Sequence, residues 1–262
     1  VIDGGPVGHN HGILMHWSAE KYPGDPQDAE VIPPPRHPRF ITGRRLSIRN
    51  TVAGLVASAA YGILFDGVDL DGVSTMVQVI AGDEGAFYAP AAEAPHIMKA
   101  QTFRNFVGMN LVANEDGTAP VHVGGRGTSK FRTDPDNGHL DFDMPECDID
   151  FENFTVDGGG VERFMDFRNV RGKITASNMR AHGFTEDACV VNNCTAEITL
   201  RRLTGNKRVR QVASSNVRHE GTLILEDHTN TASRGLLLEG RIRTATLAGA
   251  VARAKASRAG AG

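Results

Sequence analysis

Three groups of residues have types and spacings that could do chemistry. The first is "FTEDACVV", where Glu186 and Asp187 precede an apolar run beginning at Ala188. Neighbouring carboxylates push one pKa upward, which is how an acid able to protonate a glycosidic oxygen is made at neutral pH. Consecutive residues of a strand face opposite ways, so this pair shares a site only within a turn. A polar turn ahead of a strand is the plainer account. His182, in "AHG", lies a few residues upstream.

The second group is acidic. "FDGVDLDG" supplies Asp66, Asp69 and Asp71, and "HLDFDMPECDID" supplies Asp141, Asp143, Asp148 and Asp150. Alternation puts Asp69 with Asp71, and Asp141 with Asp143, on one strand face each, and an outward acidic row offers the oxygen ligands that Ca²⁺ takes. Alternating Asp is equally what a solvent-facing strand carries. The third group is "GHNHGILMHW", with His9, His11, His16 and Trp17. His-x-His on an extended strand points both imidazoles one way, toward a transition metal, although spacing identifies no third ligand. Trp17, the only tryptophan, is a candidate stacking platform for a sugar ring and otherwise a packing residue.

These groups need a scaffold, and the second half of the chain supplies its period. Ile149, Ile174, Ile198 and Leu223 recur at spacings of 25, 24 and 25 residues; Phe151, Ala176, Leu200 and Leu225 follow two residues later, and Phe154, Met179, Leu203 and His228 three after that. "VERFMDF", "DACVV", "VRQVA" and "RGLLLE" repeat as a second apolar segment. Asn169, Asn193 and Asn216 recur as well, expected at one rung corner with their amides hydrogen-bonded to one another and to turn backbone. A period of this size, built of short strands with no helical stretch for a crossover, predicts a parallel β-helix whose equivalent strands stack about 4.8 Å apart.

"LSIRN", "GILFDGVDLDG", "MVQVIAG", "FRNFVGMNLVAN" and "HLDFDM" carry the pattern into the first half. Excursions at about 18–39, 83–100 and 124–138 interrupt it, and loops thrown from one side of a solenoid form its binding groove. The expected organisation is one solenoid domain over 1–240, followed by a C-terminal cap or tail over 241–262, where the composition is helix-forming.

Bulk composition narrows the partners. A formal charge of -3, from 28 basic and 31 acidic residues, gives no footprint for nucleic acid or an anionic membrane. No apolar window is long enough to span a bilayer. Cys147, Cys189 and Cys194 lack the paired spacing of a zinc site and read as small buried hydrophobes, with a Cys189–Cys194 bridge as the other option. The chain opens at Val1 rather than Met, as expected where a signal peptide, propeptide or larger N-terminal region has been removed. Four Trp and Tyr residues are few for a strong glycan grip, which argues for a structural role.

"IRN" (Ile48–Asn50), "FRN" (Phe103–Asn105), "FEN" (Phe151–Asn153) and "FRN" (Phe167–Asn169), with "FTVDGGG" and "VVNNCT", resemble the right-handed parallel β-helix repeats of pectate-lyase-like proteins. The resemblance is clear from about Asp141 to Gly240. It implies a right-handed parallel β-helix with about 23–25 residues per rung, working outside the cell, at its surface or on a virion, and acting on a polysaccharide as a glycoside hydrolase or lyase. Glu186 and Asp187 resemble the paired-Asp stretch of polygalacturonase-type hydrolases. Lyases of this fold use Ca²⁺ to neutralise a uronate carboxylate and Lys or Arg as the base near the sugar C5. Asp66, Asp69 and Asp71 are then the metal candidates, Asp143, Arg171 and Lys173 join Glu186 and Asp187 as catalytic candidates, and Trp17, His182 and Arg202 form the substrate-binding set. The alternative implied by the superfamily is a non-catalytic tail-spike, fibre or adhesin, with a homotrimer as its assembly.

Overall fold

The computed structural model describes residues 1–5, 11–16, 38–80, 98–114, 118–124, 146–192, 194–205, 207–212, 222–226, 229–230, 236–239 and 244–248. Trp17, Asp141, Asp143, Asn193, Asn216, His228 and the "HLDFDM" stretch lie outside them. The described residues form two sheets. In the larger, β1 (Ile2–Asp3), β3 (Thr42–Arg49), β5 (Ile63–Asp71), β7 (Gln101–Met109), β9 (Glu146–Asp157), β11 (Arg171–His182), β13 (Glu197–Arg201), β16 (Thr222–Glu226) and β19 (Thr244–Ala248) lie in chain order. β14 (Thr204–Gly205) pairs with β11, and β17 (Thr229–Asn230) with β14. The smaller sheet runs β2 (His11–Met15), β4 (Ala53–Ser58), β6 (Thr75–Ile80), β8 (Val121–Gly124), β10 (Arg163–Arg168), β12 (Asp187–Asn192), β15 (Arg208–Val212) and β18 (Leu236–Glu239).

Every pairing between these strands is parallel. The chain crosses from the larger sheet to the smaller and back in each rung, an all-β arrangement that fits a β-solenoid. The apolar columns expected from the period are in register: Ile149, Ile174, Ile198 and Leu223 pair in sequence, as do Phe151, Ala176, Leu200 and Leu225. Thr244–Ala248 aligns with β16 as one further strand, so local helix-forming composition is overridden there by the open sheet edge beside it.

β9 shows why these sequences bend without losing their core. Its side chains alternate outward and inward from Glu146 to Phe151, then Glu152 and Asn153 both face outward before Phe154 turns in again. Asn153 has φ 58°, a left-handed conformation that inserts one residue into the alternation and turns the strand through a corner. The same conformation recurs at Arg45, Gly67, Asn105, Asn178 and Arg202, each immediately before a residue of the next core column. The three-residue spacing from Phe103 to Phe106 and from Phe151 to Phe154 is therefore the signature of a corner.

Amides stack at that corner. Asn178 donates to Asn153 at 2.8 Å, Asn153 to Asn105 at 3.0 Å, and Asn105 to Asp66 at 2.7 Å. Asp66 ends the ladder because the corner residue of its rung, Gly67, has no side chain. Asn169, at φ 52°, is a corner residue of the smaller sheet, and its backbone N–H donates to Asn192 at 3.2 Å. Behind the corner the rings stack too: Phe103 lies 5.5 Å from Phe151, and Phe106 lies 4.7 Å from Phe154. All four are fully buried, where ring stacking adds about 0.5–1.5 kcal/mol per pair to area burial.

The outer face of the larger sheet is polar and internally paired. Arg44, Asp66, Arg104, Glu152, Ser177, Arg201 and Glu226 share one register row, alternating in sign except at Ser177. Arg104 meets Asp66 at 3.0 Å and Arg201 meets Glu226 at 2.5 Å. The three cysteines are free and buried, so Cys189 and Cys194 are not bridged; Cys194 donates its thiol to the Phe167 carbonyl.

The long connections share an origin. Residues 16–41, 81–100 and 125–145 follow β2, β6 and β8, all strands of the smaller sheet, and lead back to the larger. Because these strands are parallel, all three segments leave from the same edge, the one formed by their C-terminal ends.

Candidate functional site

The smaller sheet carries charge where its neighbours carry aliphatic residues. Val56, Gln78, His122, Asp166, Val190 and Arg210 occupy one register row, on the face opposite the core column that includes Val77, Val121 and Met165. Ser58, Ile80, Gly124 and Arg168 form the next row along the same face. Arg168 and Gly124 stand at the C-terminal ends of β10 and β8, beside the edge where the long segments depart.

Asp166 is fully buried, and arginines flank it. Arg168 donates from Nε to Oδ1 at 2.8 Å and approaches Oδ2 through Nη2, while Nη1 of Arg163 lies 3.6 Å from Oδ2. The hydrogen bond to Asp166 raises the Arg168 pKa, outweighing its partial burial. Asp187, at the start of β12, is also fully buried and meets Nε of Arg210 at 3.4 Å. The charges are layered. Both carboxylate side chains have 0% exposure, whereas those of Arg163, Arg210 and Arg168 have 17%, 25% and 39%. Solvent therefore meets guanidinium groups, with Asp166 and Asp187 underneath and one exposed acid, Glu162, 3.3 Å from Arg163.

His122 adjoins this pair. Burial pushes its pKa down to about 4, against the attraction of Asp166 and with the repulsion of Arg168, so the imidazole is neutral at neutral pH. Its Nδ1 is buried with no hydrogen-bond partner. Gly124 makes room for the ring: a Cβ at that position would lie 2.6 Å from Nε2.

The residues singled out by sequence are spread over different faces. Glu186 is exposed while Asp187 is buried, so the two carboxylates do not share a site; the backbone N–H groups of both donate to the Glu162 carbonyl, at 2.7 and 3.1 Å. Arg171 and Lys173 lie on β11 of the larger sheet, away from Asp187: Arg171 faces Glu146 at 3.8 Å, and Lys173 stands in register between Asp148 and Glu197. His182 is exposed opposite Asp157, and Arg202 is an exposed corner residue after β13. Asp66, Asp69 and Asp71 do not fit a Ca²⁺ site. Asp66 accepts from Arg104 and Asn105, Asp71 accepts from Asn110 at 2.8 Å, and no group of three or more His, Cys, Asp or Glu among the described residues converges for a metal. His11 is exposed on β2.

Sequence reasoning passes over Asp166, Arg168 and His122. The available signal is a carboxylate between Met165 and Phe167, inside an apolar strand, with an arginine two residues on. Such a carboxylate points away from the core and still has to be matched by charge. Comparison with known proteins returns no match: no protein-family model, no curated protein and no solved structure is similar to this chain.

Proposed function

We propose that the chain is a right-handed parallel β-helix module of the pectate-lyase-like kind that engages an acidic polysaccharide across the outer face of its smaller sheet. One observation carries this reading: Arg163, Arg168 and Arg210 form a cationic layer over buried Asp166 and Asp187, and Arg168 stands beside the edge from which all three long segments leave. Planar guanidinium groups held by buried carboxylates are pre-organised for carboxylate or sulfate groups of a glycan, because their orientation is fixed before the ligand arrives. Such a module works outside the cell, at its surface or on a virion.

Where the module is catalytic, β-elimination suits this set better than glycoside hydrolysis. Hydrolysis needs two carboxyl groups facing one another across the scissile bond, and the described acids of this patch face arginines instead. Elimination needs cations to hold the uronate and a separate base near C5; the guanidinium groups of this face supply the first, and Arg168, kept protonated by Asp166, is not the second.

The rival reading is a non-catalytic spike or fibre, assembled as a homotrimer. It calls for a continuous apolar face, whereas Val1, Leu14, Phe40, Met109 and Val112, the large exposed apolar residues among those described, share no register row. The test is a panel of neutral and acidic polysaccharides, assayed for binding, reducing ends and unsaturated products, with Arg168→Gln alongside. Acidic members are expected to bind and the variant to lose them; a stable trimer that binds none of the panel overturns the proposal.

A further inference from the structure

We propose that His122 is the proton-sensing residue of this anion site: its protonation draws Asp166 from Arg168 and adds the Nε edge of that guanidinium, otherwise occupied by Asp166, to the donors an anion meets. The ligand in this inference rests on the reading above, but the coupling between the side chains does not. His122 and Asp166 are register neighbours on adjacent strands β8 and β10, and Arg168 holds the same carboxylate at 2.8 Å. The imidazole Nδ1 is buried without a partner, so a proton added there displaces no existing hydrogen bond.

The groups facing the ring from packed elements are few among the described residues. β6 offers Gln78, which is neutral; β10 offers Asp166 and Arg168, with Arg163 3.6 Å from the same carboxylate; β8 itself offers Gly124. A positive imidazole is therefore attracted by one group, Asp166, and repelled chiefly by Arg168. An anion that neutralises Arg168 removes the repulsion and favours the proton. By reciprocity the proton favours the anion to the same degree, and couplings of this kind change affinity by roughly tenfold. Acid thus frees the Nε and Nη2 donors that Asp166 occupies on a guanidinium already facing solvent.

The test follows the Arg168 Nε resonance of the isotopically labelled full chain by NMR from neutral pH to about 4, where His122 titrates. The wild-type resonance is expected to move with the His122 ring signals, and to stay fixed in His122→Asn and in His122→Gln, the second guarding against a misfolded first. A wild-type Arg168 signal that ignores His122, or an unchanged titration in both variants, overturns the inference. A parallel binding curve with dextran sulfate, whose sulfate esters stay ionised in acid, is expected to tighten about tenfold in wild type and in neither variant. Dextran sulfate binding that tightens equally in the variants also overturns it. If no polysaccharide binds at any pH while Arg168 still titrates with His122, the coupling stands and the polysaccharide reading falls.

Discussion

Asn153 donates its side-chain amide to Asn105 at 3.0 Å, one rung away, and both residues hold φ near +58°. Two demands meet at this position: the backbone must be left-handed to turn the corner, and the amide must be satisfied on both sides. Asn meets both, since it tolerates this conformation better than other side chains and both donates and accepts. Asn153→Ala keeps neither feature and is expected to cost about 1–2 kcal/mol. Asn153→Gly keeps the backbone freedom and is expected to cost less, read as the difference between the two variants in denaturant unfolding.

Phe151 sits between Phe103 and Phe167 in the core, with Phe154 edge-on to it. A stack with rings on both sides cannot close over a missing one, so Phe151→Ala is expected to cost about 3–5 kcal/mol. Calorimetry checks it, and Phe151→Leu should recover much of the loss.

The two classes of ion pair in the fold differ in weight. Asp166 is buried between two arginines that reach solvent, so Asp166→Ala loses charge-assisted hydrogen bonds and is expected to cost about 1.5–3 kcal/mol. Glu226 pairs with Arg201 on the solvent face of the larger sheet, and Glu226→Ala is expected to cost no more than about 1 kcal/mol. Equal losses in the two variants would mean that Asp166 is not the anchor of its cluster.

His122 predicts a pH dependence of stability. Its folded pKa, about 4, lies below the value of 6.5 for a free imidazole, so the unfolded chain takes up the proton first on acidification. Stability from this residue is complete above about 6.5, falls as pH drops, and levels off near 4, for a total of about 3 kcal/mol. Glu146, Asp66 and Asp3 have lowered pKa values as well, from unfolded values of 4.5 and 3.8, and their contribution disappears only in stronger acid. The upper part of the window therefore belongs to His122. His122→Gln should flatten it in unfolding free energies measured across that range.

The fold was legible where the period is carried by large apolar side chains. Ile149, Ile174 and Ile198 announce their own stacking, and Phe151 with Phe154 announces the corner between them. β4 and β8 were not legible, because "AGLVAS" and "VHVG" are short, small-residue strands between breaks in the period. The site was harder still. Glu186 and Asp187 draw attention as adjacent carboxylates, yet Glu186 is exposed in the bend before β12 and Asp187, its first residue, is buried against Arg210. Asp166 and His122 lie far apart in the chain and become neighbours only through register, which one sequence encodes too weakly to read.

Whether the guanidinium layer on the smaller sheet is the working face is decided by the affinity of an acidic polysaccharide for wild type, Arg168→Gln and Arg104→Gln. Arg104 is the matched control, exposed like Arg168 and paired with an aspartate, but placed on the larger sheet. At least a tenfold loss is expected in Arg168→Gln, where a charge-assisted hydrogen bond worth about 1.5–3 kcal/mol is removed, with affinity kept in Arg104→Gln. Loss in Arg104→Gln with binding intact in Arg168→Gln would contradict it.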